Sequence, residues 1–224
     1  MRSWFRRRTW VVGAPRLEET PTGHRVVARV GRRPVAFVSA DTPLRPAVEA
    51  FAGLLLLPAL RHGATVRIEA SVDARWLAGA RRLARIYADW WGGTDAFPLV
   101  PAAVREESTP TRKRRALCFT AGVDSFFELL RRGSRYDDLV YVVGYDMALS
   151  DRQRRHALLP ALGKIGDALG KEVVVLASDV RAHPTFRSVS WERTHGSALA
   201  AAGHVLGDRI ERLTTGPSWM HGNL

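Results

Sequence analysis

The second half of the chain alternates apolar, strand-like segments with segments of helical length. From residue 114 onward the order is RALCF, GVDSFFELLRR, DLVYVVG, SDRQRRHALLPALGKIGDALG, EVVVLAS, HGSALAAAGHVLG and ERLTTG. Nearly continuous apolar strands separated by helices are typical of a parallel sheet that is covered on both faces. The sequence therefore predicts an α/β domain with an open, mostly parallel sheet over residues 114–224.

The first half mixes strand and helix patterns without this regular alternation. RVVARVGR and PVAFVSA predict two strands joined by a hairpin, and ATVRIEASV predicts a third. One helix is predicted over residues 46–61, where Pro58 is expected to kink or end it. A second is predicted over ARWLAGARRLARIYADWW, whose Trp/Tyr stripe is expected to lie in the core rather than to form an aromatic binding surface. These patterns indicate a small α+β N-terminal domain over residues 1–91.

Residues 92–113 read GGTDAFPLVPAAVREESTPTRK, which combines glycines, prolines and a charge cluster without a sustained period. Such a composition is typical of a boundary between domains. The sequence therefore predicts a linker here. The chain ends soon after the fourth predicted strand of the second half, which suggests an α/β domain that is short at its C terminus.

Charge and cysteine content narrow the class of protein. The chain has 34 Lys+Arg against 22 Asp+Glu, a formal charge of +12 that favours ligands bearing phosphate. A nucleic-acid partner is possible but not favoured, because no recognisable module interleaves aromatic residues with the basic ones.

A single cysteine, Cys118, excludes an intrachain disulfide and multi-cysteine zinc sites, and its apolar surroundings predict a core residue. No apolar run is long enough to span a bilayer, so a cytoplasmic protein without a membrane partner is expected.

The strongest functional signal is the break in RALCFTAGVDSFFELL, where a strand ends in Thr-Ala-Gly and leads at once into a helix. This arrangement points the first free N–H groups of the helix at the carboxyl edge of the sheet, where they and the helix dipole favour a phosphate. Gly122 permits the tight turn, Thr120 and Ser125 add hydroxyl donors, and Asp124 suits a bound Mg²⁺ or a helix cap. Neither a Walker A loop nor G-x-G-x-x-G occurs. A plain turn between strand and helix is the alternative.

CFTAGVDSFFELL resembles the SGGxDS signature of the PP-loop ATP pyrophosphatases, the adenine nucleotide alpha-hydrolase-like family with a Rossmann-like fold of HUP type. Gly122, Asp124 and Ser125 match this signature outright, whereas Thr120 stands in the place of Ser and Ala121 in the place of the first Gly. The order of elements over 114–216 is similar to that of the family's nucleotide-binding domain. The whole chain is similar to uncharacterised bacterial proteins that put a small α+β region before such a domain.

The resemblance implies that the loop from Thr120 to Ser125, including Ala121, Gly122 and Val123, binds ATP together with Mg²⁺. It further implies adenylation of a small carboxylate or carbonyl oxygen with release of pyrophosphate, followed by displacement of AMP. Two alternatives stay open. One is a nucleotide-binding module without catalysis, because Ala121 adds a methyl group near the phosphate and disfavours positive φ. The other is a PP-loop enzyme that modifies tRNA.

Further candidate residues follow the other predicted strands at their carboxyl ends, where ligands of open α/β sheets bind. Gly144, Tyr145 and Asp146 follow the second strand, and the resemblance places them near the adenosine. Ser178-Asp179 follows the third strand, and the residues 214–218 end the fourth. For each of these segments an ordinary turn is the alternative.

Four residues are the candidate catalytic groups: Asp124, which is also the candidate magnesium ligand, Ser125, Arg193 and His195. Arg193 and His195 stand at a predicted helix start, where they face the phosphates or, alternatively, cap and pack the helix. A metal site built from His195 with the histidines at positions 204 and 221 is excluded by their spacing along the chain.

Overall fold

A computed structural model describes residues 8–92, 96–106 and 114–216. The strands are β1 (Thr9–Val12), β2 (Arg16–Thr20), β3 (Gly23–Val30), β4 (Arg33–Ser39), β5 (Thr65–Asp73), β6 (Leu99–Arg105), β7 (Arg114–Cys118), β8 (Asp138–Val143), β9 (Glu172–Ser178) and β10 (Ile210–Thr215). The helices are α1 (Val48–His62), α2 (Ala74–Trp91), α3 (Val123–Arg132), α4 (Arg152–Leu169), the short α5 (Pro184–Arg187) and α6 (Trp191–Val205).

The strands form one mixed sheet in the order β10-β7-β8-β9-β4-β3-β1-β5-β6, and β2 pairs with β3 beside this path. Five of the nine pairings are parallel, and they include all three that join β10, β7, β8 and β9. The predicted α/β class and the predicted parallel strands of the second half are therefore confirmed.

The two halves of the chain meet where β4 pairs antiparallel with β9, with Phe37 opposite Ser178 and Val38 opposite Ala177. The strands predicted for an N-terminal domain thus continue the sheet of the second half. The division into two domains stays a prediction.

Residues alternate between the two faces of β8. Leu139 and Tyr141 pack in a cluster with Leu129 of α3 and Leu162 of α4. Val140 and Val142 point the other way, into a larger cluster. That cluster is built around α1 and α6, which pack against each other. The sheet is therefore covered on both faces here, as the continuous apolar strands predict.

The segment 92–113, predicted as a linker, contains the edge strand β6. Pro101 lies inside β6 opposite Ile68 of β5. An edge strand forms hydrogen bonds with a neighbouring strand on one side only. A proline is tolerated there because the side that lacks an N–H can face away from that neighbour. The prolines interrupt the alternation of apolar and polar residues from which a strand is predicted.

Pro58 does not end α1, which continues to His62 and stops at Gly63 in the left-handed conformation, with φ 59°. Almost the whole helix is buried, and this packing holds the last turn although proline removes one helical hydrogen bond.

The Trp/Tyr stripe of α2 lies mostly against the core, with Tyr87 buried, but Trp90 is 58% exposed. The core prediction is thus wrong for Trp90.

Within residues 8–92, 96–106 and 114–216, no helix combines the length and the apolar character that crossing a bilayer requires.

Asp138 at the start of β8 is fully buried and joins three segments of the second half. Its carboxylate accepts hydrogen bonds from Arg114 of β7 and from Arg209, whose Nη2 lies 2.8 Å from Oδ1. Burial alone would raise the pKa of Asp138, but the hydrogen bonds from Arg114 and Arg209 outweigh it, and the pKa is lowered. The ionised carboxylate therefore stabilises the sheet at its amino end.

We expect Asp138→Asn to lower the free energy of unfolding by about 3 kcal/mol at pH 7, because it leaves two guanidinium groups without their buried counter-charge. A lowered pKa means that ionised Asp138 adds stability above its unfolded pKa of about 3.9, and that this contribution is lost as the pH falls through the lower folded value. The difference between variant and wild type should therefore shrink at pH values below about 4. Urea unfolding at several pH values measures it. The exposed Asp167→Asn is the control and should change stability by less than about 0.5 kcal/mol at every pH.

Candidate functional site

The loop between β7 and α3 is held by its own hydroxyl groups. The Gly122 N–H donates to Thr120 Oγ1 over 3.3 Å, and Ser125 Oγ donates to the Gly122 carbonyl over 2.9 Å. The same carbonyl accepts the first helical hydrogen bond, from the Phe126 N–H. Because Thr120 accepts at its oxygen, its own O–H stays available to a ligand.

Ala121 has φ 57°, and in the described part of the chain it is the one residue other than glycine with positive φ. The left-handed conformation costs an L-residue with a Cβ roughly 1 kcal/mol. Ala121 occupies the place of the first glycine of the SGGxDS pattern. The backbone thus makes a turn that favours glycine although the residue is alanine.

The first amides of α3, those of Val123, Asp124 and Ser125, precede the first residue that can donate within the helix. The end of β10 approaches them closely. A Cβ on Gly216 would lie 3.0 Å from the Asp124 carbonyl oxygen, so a larger residue at this position would push the two elements apart.

A cleft of about 550 Å³ opens at this point, at the carboxyl ends of β7, β8 and β10. Six of the predicted site residues line it, namely Thr120, Asp124, Ser125, Tyr145, Asp146 and His195. Thr215 and Gly216 line it from β10, as the position of the fourth strand predicted. The structure therefore brings together side chains from three strand ends and from the start of α6.

Other candidate residues lie elsewhere. Arg193 does not line the cleft; its guanidinium stacks on Trp91 at the end of α2, 5.2 Å from the ring centroid. Ala121, Gly122, Val123 and Gly144 shape the turns beside the cleft without lining it.

Ser178 and Asp179 tie β9 to β4 instead of facing the cleft. Ser178 Oγ donates to the Ala36 carbonyl over 2.8 Å, and Asp179 Oδ1 accepts from the Ala36 N–H over 2.9 Å. The alternative of a structural turn explains these two residues. Positions 217, 218 and 221 lie outside the described residues.

Tyr145 is buried and donates its hydroxyl to the Ala198 carbonyl of α6 over 2.7 Å. Its ring meets Trp191 edge to face, with centroids 5.4 Å apart. Arg181 donates to the Tyr145 carbonyl and stacks on Trp191 at 4.8 Å. Burial raises the pKa of Tyr145 well above its ordinary value, so the phenol is a neutral packing group. The sequence did not single out Trp191 or Arg181, since no spacing links them to the loop.

His195 is oriented by its own helix. Its Nδ1 lies 2.8 Å from the Glu192 carbonyl, and because a carbonyl only accepts, Nδ1 carries the proton. When the imidazole is neutral, Nε2 is therefore left with a lone pair.

Cys118 is buried at the floor of the cleft, as predicted. Burial, with a smaller contribution from the charge of Asp146, raises the pKa of its thiol to about 12. The thiol is therefore protonated at neutral pH and unsuited to nucleophilic attack.

The described lining of this cleft contains two carboxylates, those of Asp124 and Asp146, and no lysine or arginine. Over the described ranges no group of three or more His, Cys, Asp or Glu side chains is placed to hold a metal ion by itself.

The chain matches no protein-family model, no curated protein and no solved structure. The resemblance to the PP-loop ATP pyrophosphatases accordingly depends on the residues of the loop and on the order of elements around it.

We expect Ala121→Gly to raise the free energy of unfolding by about 1 kcal/mol, because glycine adopts the left-handed conformation without a steric penalty. The same substitution at Ala157, exposed on α4, is the matched control and should lower stability by about 1 kcal/mol, because glycine is a poor helix former. Urea denaturation of both variants measures the difference. Equal destabilisation by the two substitutions would contradict the conformation assigned to Ala121.

Proposed function

We propose that the protein binds ATP at this cleft as a Rossmann-like domain of HUP, PP-loop type, and that it transfers the adenylyl group of ATP to a small carboxylate or carbonyl substrate. The observation that carries this proposal is the left-handed turn at Ala121, directly before Gly122 and the unpaired amides of α3. A turn of this kind exposes backbone N–H groups to an anion. A cleft lined by the same loop lies beside it.

The phosphates would lie against the amides of Val123, Asp124 and Ser125, where the helix dipole also favours negative charge. Hydroxyl groups of Thr120 and Thr215 line the same cleft and add neutral donors. The adenine would lie against the apolar part of the lining, formed by Trp191, Leu199 and Leu213.

Asp124 and Asp146 suit Mg²⁺, because magnesium takes oxygen ligands and is commonly shared between one or two carboxylates and the phosphates of a substrate. When bound, Mg²⁺ would supply positive charge for the pyrophosphate, a charge that the described lining does not provide.

In the proposed reaction an oxygen of the substrate attacks the α-phosphorus of ATP. The bond from that phosphorus to the oxygen bridging the α- and β-phosphates breaks, and the bond's electron pair leaves with pyrophosphate. The contribution of the chain is to hold the α-phosphate on the loop amides in line with the attacking oxygen. His195 offers Nε2 at the edge of the same cleft, where it can accept a proton from a nucleophile that displaces AMP.

A nucleotide-binding module without catalysis is the second candidate. Two observations favour it: the described lining has no lysine or arginine, and Arg193 stacks on Trp91 rather than facing the cleft. Such a module would bind the nucleotide through the loop amides alone.

Calorimetry with ATP, AMP and a non-hydrolysable ATP analogue, each with and without Mg²⁺, tests binding. Incubation with α-labelled ATP, Mg²⁺ and a small-molecule cell extract tests turnover. We expect ATP binding that Mg²⁺ strengthens, and formation of AMP and pyrophosphate. We expect Asp124→Asn to lower AMP formation about 100-fold and to abolish the effect of Mg²⁺ on binding.

Asp167→Asn, on α4 and exposed, is the control and should behave as the wild type. Binding of ATP and its analogue with equal affinity and no AMP would establish the non-catalytic module. If millimolar nucleotide does not bind at all, both forms of the proposal are wrong.

A further inference from the structure

A second cleft, of about 420 Å³, lies beside the first and shares Ala200 and Leu213 with it. One wall is formed by β10, at the first edge of the sheet. The lining also includes Asp73 at the end of β5 and Arg105 at the end of β6, which is the other edge of the sheet. The sheet therefore curves around α1 and α6 until its two edges contribute to one cleft.

The cleft contains a buried ion pair. Glu49 of α1 is 3% exposed, and its Oε1 accepts from Arg105 Nη2 over 2.5 Å and from the Asp73 N–H over 2.8 Å. Removing a carboxylate from water is costly unless it is paired. Arg105 and the Asp73 N–H supply this pairing, so Glu49 is satisfied within the fold.

The other two carboxylates of the lining are engaged by the fold. Asp73 caps α2 by accepting from the amides of Arg75 and Trp76. Glu211 pairs over 3.3 Å with Arg115, which lies outside the cleft. The acidic groups of this cleft are thus satisfied before any ligand arrives.

The arginines at the rim are less occupied. Arg45 has an acidic neighbour, Asp208, only at 3.8 Å, and that side chain is 72% exposed and outside the lining. Arg212 is exposed and forms no ion pair with the residues that the structure describes. A long or exposed ion pair contributes little, so these guanidinium groups are available to an anion.

His204 of α6 lines the same cleft. Burial lowers the pKa of His204, although the charge of Glu49 opposes this effect, so the imidazole is neutral at pH 7. Beside the arginines the cleft thus offers an uncharged ring that donates or accepts one hydrogen bond.

We infer that the second cleft binds a small carboxylate, with its charged end at Arg45 and Arg212. Guanidinium groups match carboxylates in shape and charge. The lining carries four arginines (Arg45, Arg75, Arg105 and Arg212) against three carboxylates (Glu49, Asp73 and Glu211), so its net charge is +1. A carboxylate with one negative charge neutralises this charge, whereas a phosphate exceeds it. Because the cleft adjoins the first one across Ala200 and Leu213, the bound carboxylate is also the acceptor of the adenylyl group; this second step rests on the proposed function.

Binding is tested without nucleotide, by fluorine NMR titration with para-fluorobenzoate. We expect Arg45→Gln and Arg212→Gln each to weaken its binding about 10-fold, as loss of one hydrogen bond to a charged group predicts. The uncharged para-fluorobenzamide should bind more weakly than the benzoate. Arg187→Gln, exposed and outside the lining of the cleft, is the matched control, and Asp124→Asn should leave benzoate binding unchanged.

Equal binding of benzoate and benzamide, or wild-type affinity in both rim variants, would overturn the inference. Tighter binding of inorganic phosphate at the same arginines would replace the carboxylate by a phosphate and overturn it as well. If ATP fails to bind while benzoate binding depends on Arg45 and Arg212, the proposed function is wrong and the carboxylate site stands. In the reverse case, in which ATP binds but the rim variants keep wild-type affinity for benzoate, only the second cleft is wrongly assigned.

Discussion

The antiparallel pairing of β4 with β9 is the contact on which the rest of the architecture depends. It is short, with Phe37 opposite Ser178 and Val38 opposite Ala177, and the side chains of Ser178 and Asp179 reinforce it by bonding to the backbone of Ala36. Through it the strands of the first half extend a sheet that would otherwise end at β9. Because the extension curves, α1 packs against α6, and a single large core serves both halves of the chain.

The same pairing decides where a ligand has room. Ser178 and Asp179, at the carboxyl end of β9, are bonded to the backbone of β4, and the first cleft lies instead at the carboxyl ends of β7, β8 and β10. The curvature also brings β6 close enough to β10 for both to line the second cleft. The first cleft is thus shaped by the turn after β7, and the second cleft by the approach of the two edges of the sheet.

Much of the second half could be predicted because its signals are local. The period of each segment and the small residues after β7 indicate strands, helices and a loop without knowledge of the rest of the chain. β6 was missed because Pro101 breaks the strand pattern, and only pairing with β5 shows that an edge position tolerates it. For Arg193 the sequence left a phosphate contact and a packing role both open. The packing role is the one observed, because its guanidinium stacks on Trp91, about a hundred positions earlier in the chain. Glu49, Arg105 and Arg212 could not be grouped from the sequence, since only the curved sheet brings them together.

The two residues shared by both clefts have a consequence for selectivity. Ala200 and Leu213 carry no charge, yet they belong to the lining of both spaces. Their bulk, rather than any charged group, sets how far a molecule in one cleft extends toward a molecule in the other. A change of size at either position would therefore alter which pairs of molecules fit side by side, while the loop between β7 and α3 and the arginines of the second cleft stay intact. The residues that limit the size of a bound molecule are therefore different from the residues that recognise its charge.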